Sequence, residues 1–135
     1  MSTVPATLRT VEVSGAEAVC LMRCSRLGRL VYTQRDLTVL RPAAHVWADG
    51  RLLVRTSGPA AEGPATATYE VEENRAVPGG GWTVTVSGPA EVVTDADADG
   101  TRRLAPGGWA PGPQDMILRI RPRTVTGFRV ARGEV

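Results

Sequence analysis

The chain has 135 residues, of which 42% are hydrophobic and 22% charged, which suits one folded domain and excludes a disordered tail. The formal net charge is only +2, and the 16 basic residues, all arginine, never form a block of five. The sequence therefore does not favour nucleic acid as a partner.

The chain also lacks the sequence signals that direct a protein into or across a membrane. No apolar run approaches the roughly 20 residues that a transmembrane helix needs. The first residues, Met-Ser-Thr-Val-Pro-Ala-Thr-Leu, have neither the basic start nor the apolar core of a signal peptide. We therefore expect a cytoplasmic protein with no membrane partner.

Residues 1–13 are predicted to form an N-terminal arm, in which 10–13 could be a short strand, and residues 14–135 a single domain. A helix is predicted at about 15–27, because Ser14 and Glu17 have the spacing of a capping box. Gly28 suits the left-handed position that ends many helices.

The two cysteines, Cys20 and Cys24, share one face of this predicted helix, where side chains four apart are poorly aimed for a disulfide. We expect them to be free and buried. Together with His45 they offer only three metal ligands and no Cys-x-x-Cys spacing, so no metal site is predicted.

After Gly28 the sequence becomes rich in strand-forming residues. Strands are predicted at 29–33, 37–47 and 51–56, with turns at 34–36 and at Ala48-Asp-Gly50, and they form an antiparallel meander. Residues 57–64 contain two prolines and two glycines and are predicted to be a loop. Further strands are predicted at 65–73, 82–95, 116–121 and 124–130.

The strand predicted at 82–95 is interrupted by Gly88-Pro89, where the missing amide favours a bend. Six or seven strands with one helix near the N-terminus and short connections indicate a mainly β fold. A closed or nearly closed antiparallel barrel is favoured over any βαβ architecture.

Three segments, in this order and spacing, resemble the flavin-binding split β-barrel superfamily of pyridoxamine 5′-phosphate oxidase, in particular its small bacterial members of unassigned activity. The first is 14–30, which ends in Ser-Arg-Leu-Gly-Arg-Leu. The second is 82–95, with Ser-Gly-Pro-Ala-Glu-Val-Val. The third is 109–130, with Trp-Ala-Pro-Gly-Pro-Gln-Asp and Ile-Arg-Pro-Arg-Thr-Val-Thr-Gly-Phe-Arg-Val.

The resemblance implies a split β-barrel homodimer that binds flavin mononucleotide (FMN) or a deazaflavin at the subunit interface and acts as an oxidoreductase on a small organic substrate. It places the cofactor phosphate at Arg55-Thr56-Ser57. The rest of the cofactor site is expected at Pro42, Ala43, Ala44 and Trp109.

The segment after Ser57 departs from the family pattern, because 58–64 contains Glu62 and no basic residue where relatives carry one. A second hypothesis is therefore a cofactor-free barrel that binds a small molecule without redox chemistry.

His45, the only histidine, is a candidate proton donor, since its ordinary pKa of about 6.5 allows both charge states near neutrality. The alternative is a structural imidazole. Trp47, Trp82 and Trp109 could include a ring that stacks on a planar ligand, and the alternative is packing in the core or in a dimer interface. For Trp82 the packing alternative is favoured.

Overall fold

The computed structural model describes residues 8–57, 63–74, 80–93 and 115–132, and these form one helix and eight strands. None of the helical residues described forms a segment long and apolar enough to cross a membrane. The elements in chain order are β1 (Leu8–Val13), α1 (Gly15–Arg23), β2 (Leu27–Gln34), β3 (Leu37–Ala48), β4 (Arg51–Ser57), β5 (Thr66–Asn74), β6 (Gly81–Val92), β7 (Asp115–Ile120) and β8 (Thr124–Arg132).

Six of these strands close into an antiparallel barrel in the order β6-β5-β2-β3-β4-β7, with β7 pairing back to β6. The remaining two strands lie beside it, β8 against β6 and β1 against β8. The predicted mainly β, antiparallel barrel with an N-terminal helix is therefore confirmed. The barrel itself has six strands, and β1 and β8 are additional to it.

The β2–β3–β4 meander is confirmed, and two short turns set its register. Arg35 and Asp36 join β2 to β3 with φ angles of 51° and 63°. Asp49 and Gly50 join β3 to β4 with φ angles of 52° and 73°. Positive φ at both central residues matches the twist of the flanking strands, which is why Asp-Gly is a strong hairpin signal.

The helix is shorter than the predicted 15–27. The Ser14 side chain accepts a hydrogen bond from the Glu17 amide at 3.1 Å, which is one half of a capping box, while the Glu17 carboxylate accepts from Arg129 at 2.8 Å. The last helical residue is Arg23. Gly28 does not end the helix and instead lies within β2. A Cβ atom at Gly28 would come within 2.5 Å of the Tyr69 ring, so glycine is needed there for close packing.

The helix packs on the barrel through Ala18 and Met22, which are both fully buried. Cys20 and Cys24 are free, as predicted, but both are exposed, so the prediction that they are buried is wrong. Residues two positions apart on a helix differ by about 200° in direction, so a helix that buries residues 18 and 22 turns residues 20 and 24 outward.

The barrel interior is filled by alternate residues of its strands. On β5 the inward set is Ala67, Tyr69 and Val71, at alternate positions of the strand. Trp82 also belongs to this core with 8% of its surface exposed, which confirms the packing alternative for that ring. Each large apolar side chain buried in this way stabilises the fold by about 1.5–3 kcal/mol.

The bend predicted at Gly88-Pro89 is the point where β6 changes partners. Residues 81–87 pair with β8, whereas 90–92 pair with β7 along the same edge. Pro89 has no amide to donate, and its carbonyl accepts from the Arg121 amide at 2.9 Å. The crossing chain runs so close that a Cβ atom on Gly88 would lie 1.8 Å from the Arg121 carbonyl oxygen. Because Gly88 has no side chain, β6 can pair both with β7, which closes the barrel, and with β8, which lies outside it.

Candidate functional site

Arg55 lies on the outward face of β4. Its neighbours Val54 and Thr56 are fully buried on the inward side, and successive residues of a strand point to opposite faces. The register aligns Arg55 with Ala44 on β3 and with Ile117 on β7, and aligns Ala44 with Leu27 on β2. Paired residues share a face, so a permanently charged guanidinium lies beside a small alanine in a row that crosses four strands.

The predicted Arg55-Thr56-Ser57 group is divided between the two faces of β4. Ser57 is exposed and lies on the same face as Arg55, which is only 8% exposed. The Thr56 side chain is fully buried, and its hydroxyl donates to the Pro42 carbonyl at 2.9 Å. Arg55 and Ser57 can therefore meet a ligand together, while the Thr56 hydroxyl ties β4 to β3 from the other side.

The three predicted residues of β3 are divided in the same way. Pro42 is exposed and is paired with Arg29, and Ala44 is paired with Arg55. Ala43 belongs to the barrel core. Pro42 and Ala44 therefore share the outward face with Arg55. Trp109 and residues 58–62 of the following loop lie outside the described residues.

His45 lies inside the barrel with 3% of its surface exposed. Its Nε2 is 2.9 Å from the Met22 carbonyl oxygen, which can only accept, so Nε2 carries the proton. Its Nδ1 lies 2.6 Å from the Tyr69 hydroxyl, which is also 3.4 Å from the Ala43 carbonyl oxygen and can donate to either. The imidazole thus joins α1, β3 and β5 through two buried hydrogen bonds.

Burial lowers the pKa of His45 below its ordinary value, although hydrogen bonds to the backbone at Met22 and Ser25 partly oppose the shift. Burial also raises the pKa of the Tyr69 hydroxyl. Both groups are thus uncharged at neutral pH. This geometry supports the structural alternative for His45, and its proposed proton-donor role stays a prediction.

A cluster that the sequence reasoning missed lies next to Pro42. The Arg29 guanidinium is 2.7 Å from a Glu70 carboxylate oxygen and 3.2 Å from one of Glu72. These side chains line an open cleft of about 400 Å³ together with Leu27 and Gly28. Glu70 and Glu72 lie two positions apart on β5 and share its outward face, and the pairing of Arg29 with Glu70 across the strands brings the opposite charges together.

Comparison with known proteins gives consistent matches over most of the chain. A model of the pyridoxamine 5′-phosphate oxidase family matches residues 14–129. An uncharacterized protein of Mycobacterium tuberculosis is 32% identical over an alignment of 131 residues, and the match covers 89% of this chain and 85% of that protein.

Solved structures also match this chain over most of its length. A pyridoxamine 5′-phosphate oxidase candidate from Corynebacterium glutamicum is 25% identical with a TM-score of 0.75, over 93% of this chain and 96% of that one. An FAD-binding protein from Mycobacterium smegmatis is 26% identical with a TM-score of 0.71, over 92% of this chain and all (100%) of that one.

Proposed function

Because this chain belongs to the pyridoxamine 5′-phosphate oxidase family, we propose that it binds FMN, or a related deazaflavin, on the outward face of β3 and β4. The observation that carries the proposal is the row that places Arg55 beside Ala44 on one face, with Ser57 next on the same side of the strand. The FAD bound by the similar M. smegmatis protein supports a flavin-type cofactor.

In this proposal Arg55 binds the cofactor phosphate. A guanidinium can donate two parallel hydrogen bonds to a phosphate, and the Ser57 hydroxyl adds a third donor on the same face. Thr56 acts as a positioning residue, because its hydrogen bond to Pro42 fixes the two strands that carry the site. Pro42 is exposed and has no long side chain, so a flat ring can lie against it, whereas Ala44 is only 1% exposed and lies beneath this surface.

A bound flavin would supply hydride transfer, here to a small organic substrate, while the protein binds and orients it. We propose that the protein is a homodimer, in which Trp109 approaches the flavin site of the other subunit. Support for an interface next to the site comes from exposed apolar residues on the outward faces of β2 and β3. Leu27 is 63% exposed and Leu40 is 59% exposed.

We expect light scattering at micromolar concentration to give the mass of a dimer. Leu40→Glu should shift the mass toward the monomer, because it places a charge in the proposed apolar contact. Val11→Glu is the matched control, since Val11 is a 49% exposed apolar residue on β1, away from β2 and β3. A monomeric wild-type protein would contradict the shared site.

A second candidate function is a cofactor-free barrel that binds a small molecule. Two observations favour it: the Thr56 hydroxyl is turned away from the face of Arg55, and residues 58–64 contain no basic side chain. Loss of one charge-assisted contact to a phosphate would cost about 1.5–3 kcal/mol, or roughly one to two powers of ten in affinity.

Titration of the purified protein with FMN, followed by visible absorption, tests the first candidate. We expect Arg55→Gln to weaken FMN binding by roughly ten- to a hundredfold, because it removes the charged phosphate donor. Ser57→Ala should weaken binding several-fold without disturbing the barrel, since Ser57 is exposed at a strand end.

Arg9→Gln, at an exposed arginine of β1, is the matched control and should bind FMN as the wild type does. Thermal unfolding of each variant separates lost affinity from lost structure. Unchanged affinity in both Arg55→Gln and Ser57→Ala would contradict the assigned roles. A wild-type protein that takes up neither FMN nor a deazaflavin at tens of micromolar would exclude the flavin function and leave the cofactor-free barrel.

A further inference from the structure

A cleft of about 500 Å³ lies on the outer surface of the sheet, away from the row that contains Arg55. The register aligns Val31, Thr68, Ser87 and Thr124 in one row across β2, β5, β6 and β8. Strands are spaced about 4.8 Å apart, so this row is roughly 14 Å long. The cleft is therefore long enough for a small extended ligand.

Six of the twelve residues that line this cleft, which we call the hydroxyl groove, are serine or threonine. The Thr68 and Ser87 hydroxyls lie 2.8 Å apart and hydrogen-bond across the strands. Since a hydroxyl can both donate and accept, such a lining suits a ligand with several hydroxyls of its own. Its six serine and threonine side chains are Thr33, Thr38, Thr66, Thr68, Ser87 and Thr124.

Among the described residues, those that line the groove contribute positive charge and no negative charge. Arg123 lines it, and no carboxylate is among the described residues that do so. Within the described ranges, the exposed guanidinium of Arg123 forms no ion pair. An exposed arginine with no carboxylate partner beside several hydroxyls is a suitable setting for an anionic oxygen group.

This positive charge lies at one end of the groove. Arg123 and Thr124 are at the start of β8, whereas Thr33 and Thr38 face each other beside the β2–β3 turn at the other end. The groove thus offers a cation at one end and neutral hydroxyls along the rest. A ligand that matches this order has a phosphate at one end and a polyhydroxylated body.

We propose that the hydroxyl groove binds the phosphate ester of a small sugar, with the phosphate at Arg123 and Thr124 and the sugar hydroxyls along β5 and β2. This site is distinct from the proposed flavin site, because Thr33 lies at the opposite end of β2 from Leu27, which is aligned with Ala44. Val31 is aligned with Leu40, so the groove borders the proposed dimer contact. The ester is either a free sugar phosphate or the ribose phosphate of a nucleotide.

Calorimetric titration with ribose 5-phosphate and with adenosine 5′-monophosphate tests the site and distinguishes the two sources. We expect one of these esters to bind more tightly than ribose or inorganic phosphate alone, and the tighter ester identifies the source. Arg123→Gln should weaken binding of the ester by about tenfold or more, because it removes a charged hydrogen bond. Thr68→Val should weaken it several-fold, because it removes a neutral hydrogen bond.

Two matched controls lie outside the groove. Arg9→Gln removes another exposed arginine, and Thr126→Val removes another exposed threonine of β8 that does not line the groove. Both should bind the ester as the wild type does. Arg123 is exposed, so Arg123→Gln does not threaten the fold.

Two results would overturn the proposal. One is an absence of binding by both esters at millimolar concentration. The other is binding that survives both Arg123→Gln and Thr68→Val, since the ester then lies outside the groove. Loss of that binding in Ser57→Ala would place the ester at the proposed flavin phosphate site.

Discussion

Gly88→Ala is expected to destabilise the protein by about 3–5 kcal/mol, a large part of the roughly 5–15 kcal/mol that holds a typical domain together. The added methyl carbon would lie 1.8 Å from the Arg121 carbonyl oxygen, 2.9 Å from its carbon and 3.0 Å from the Arg123 nitrogen. All three are backbone atoms, so no side chain can swing aside to relieve the overlap.

The chain can relieve this overlap only by moving the 121–123 segment away from β6. That movement would break the hydrogen bonds from the Arg121 amide to Pro89 and from the Arg123 amide to Ser87. These bonds lie where β6 leaves β8 and joins β7, so the closure of the barrel would be lost with them. Urea unfolding, or the yield of folded protein where the variant does not accumulate, measures the effect.

Gly15→Ala is the matched control, because a Cβ atom at Gly15 would meet nothing within 4 Å. This glycine begins α1, where alanine is the better helix former, so the variant should be as stable as the wild type or slightly more so. If Gly88→Ala unfolded at the same urea concentration as the wild type, the close approach of Arg121 to β6 would be excluded.

The same glycine shows how far the sequence predicted this fold. Gly88-Pro89 marked a bend because proline lacks an amide, and Asp49-Gly50 marked a hairpin because of its backbone angles; both are local properties that a sequence expresses directly. The role of Gly28 does not follow from a local property of this kind. This glycine was predicted to end the helix, and its actual role in close packing depends on Tyr69, which is 41 residues away.

The orientation of the candidate site residues was not predicted from the sequence. Arg55, Ala44 and Ser57 share the outward face, whereas Thr56 and Ala43 point into the barrel. Alternation could not reveal this, because Leu52, Leu53 and Val54 are apolar at consecutive positions and all are buried. Where both faces of a strand are covered, its hydrophobic pattern does not show which face is inside.

His45 presented the same difficulty, since its role depends on partners that lie far away in the sequence. Met22 and Tyr69 are 23 and 24 residues from it, and only the fold brings them to its two ring nitrogens. Their positions make the imidazole a neutral link between the helix and the barrel, and this has a measurable consequence for stability.

We expect the free energy of unfolding to fall as the pH drops below about 6.5, the ordinary pKa of histidine. The pKa of His45 is lowered in the folded protein, so the unfolded chain takes up a proton first as the pH falls. The unfolded state then binds more protons than the native state, and stability must rise with pH across this window. The slope for one such group has an upper limit of about 1.4 kcal/mol per pH unit.

Urea unfolding at a series of pH values from 7 to 5 measures this slope, and His45→Gln provides the comparison. Glutamine does not titrate, and His45 is the only histidine, so the variant should lose most of the slope whatever its absolute stability. Carboxyl groups contribute little here because their ordinary pKa values are near 4. Equal slopes in the two proteins would contradict a buried neutral His45. A slope present only in the wild type would instead indicate that this imidazole remains neutral because it is buried, and a proton donor for a substrate would then have to be sought elsewhere.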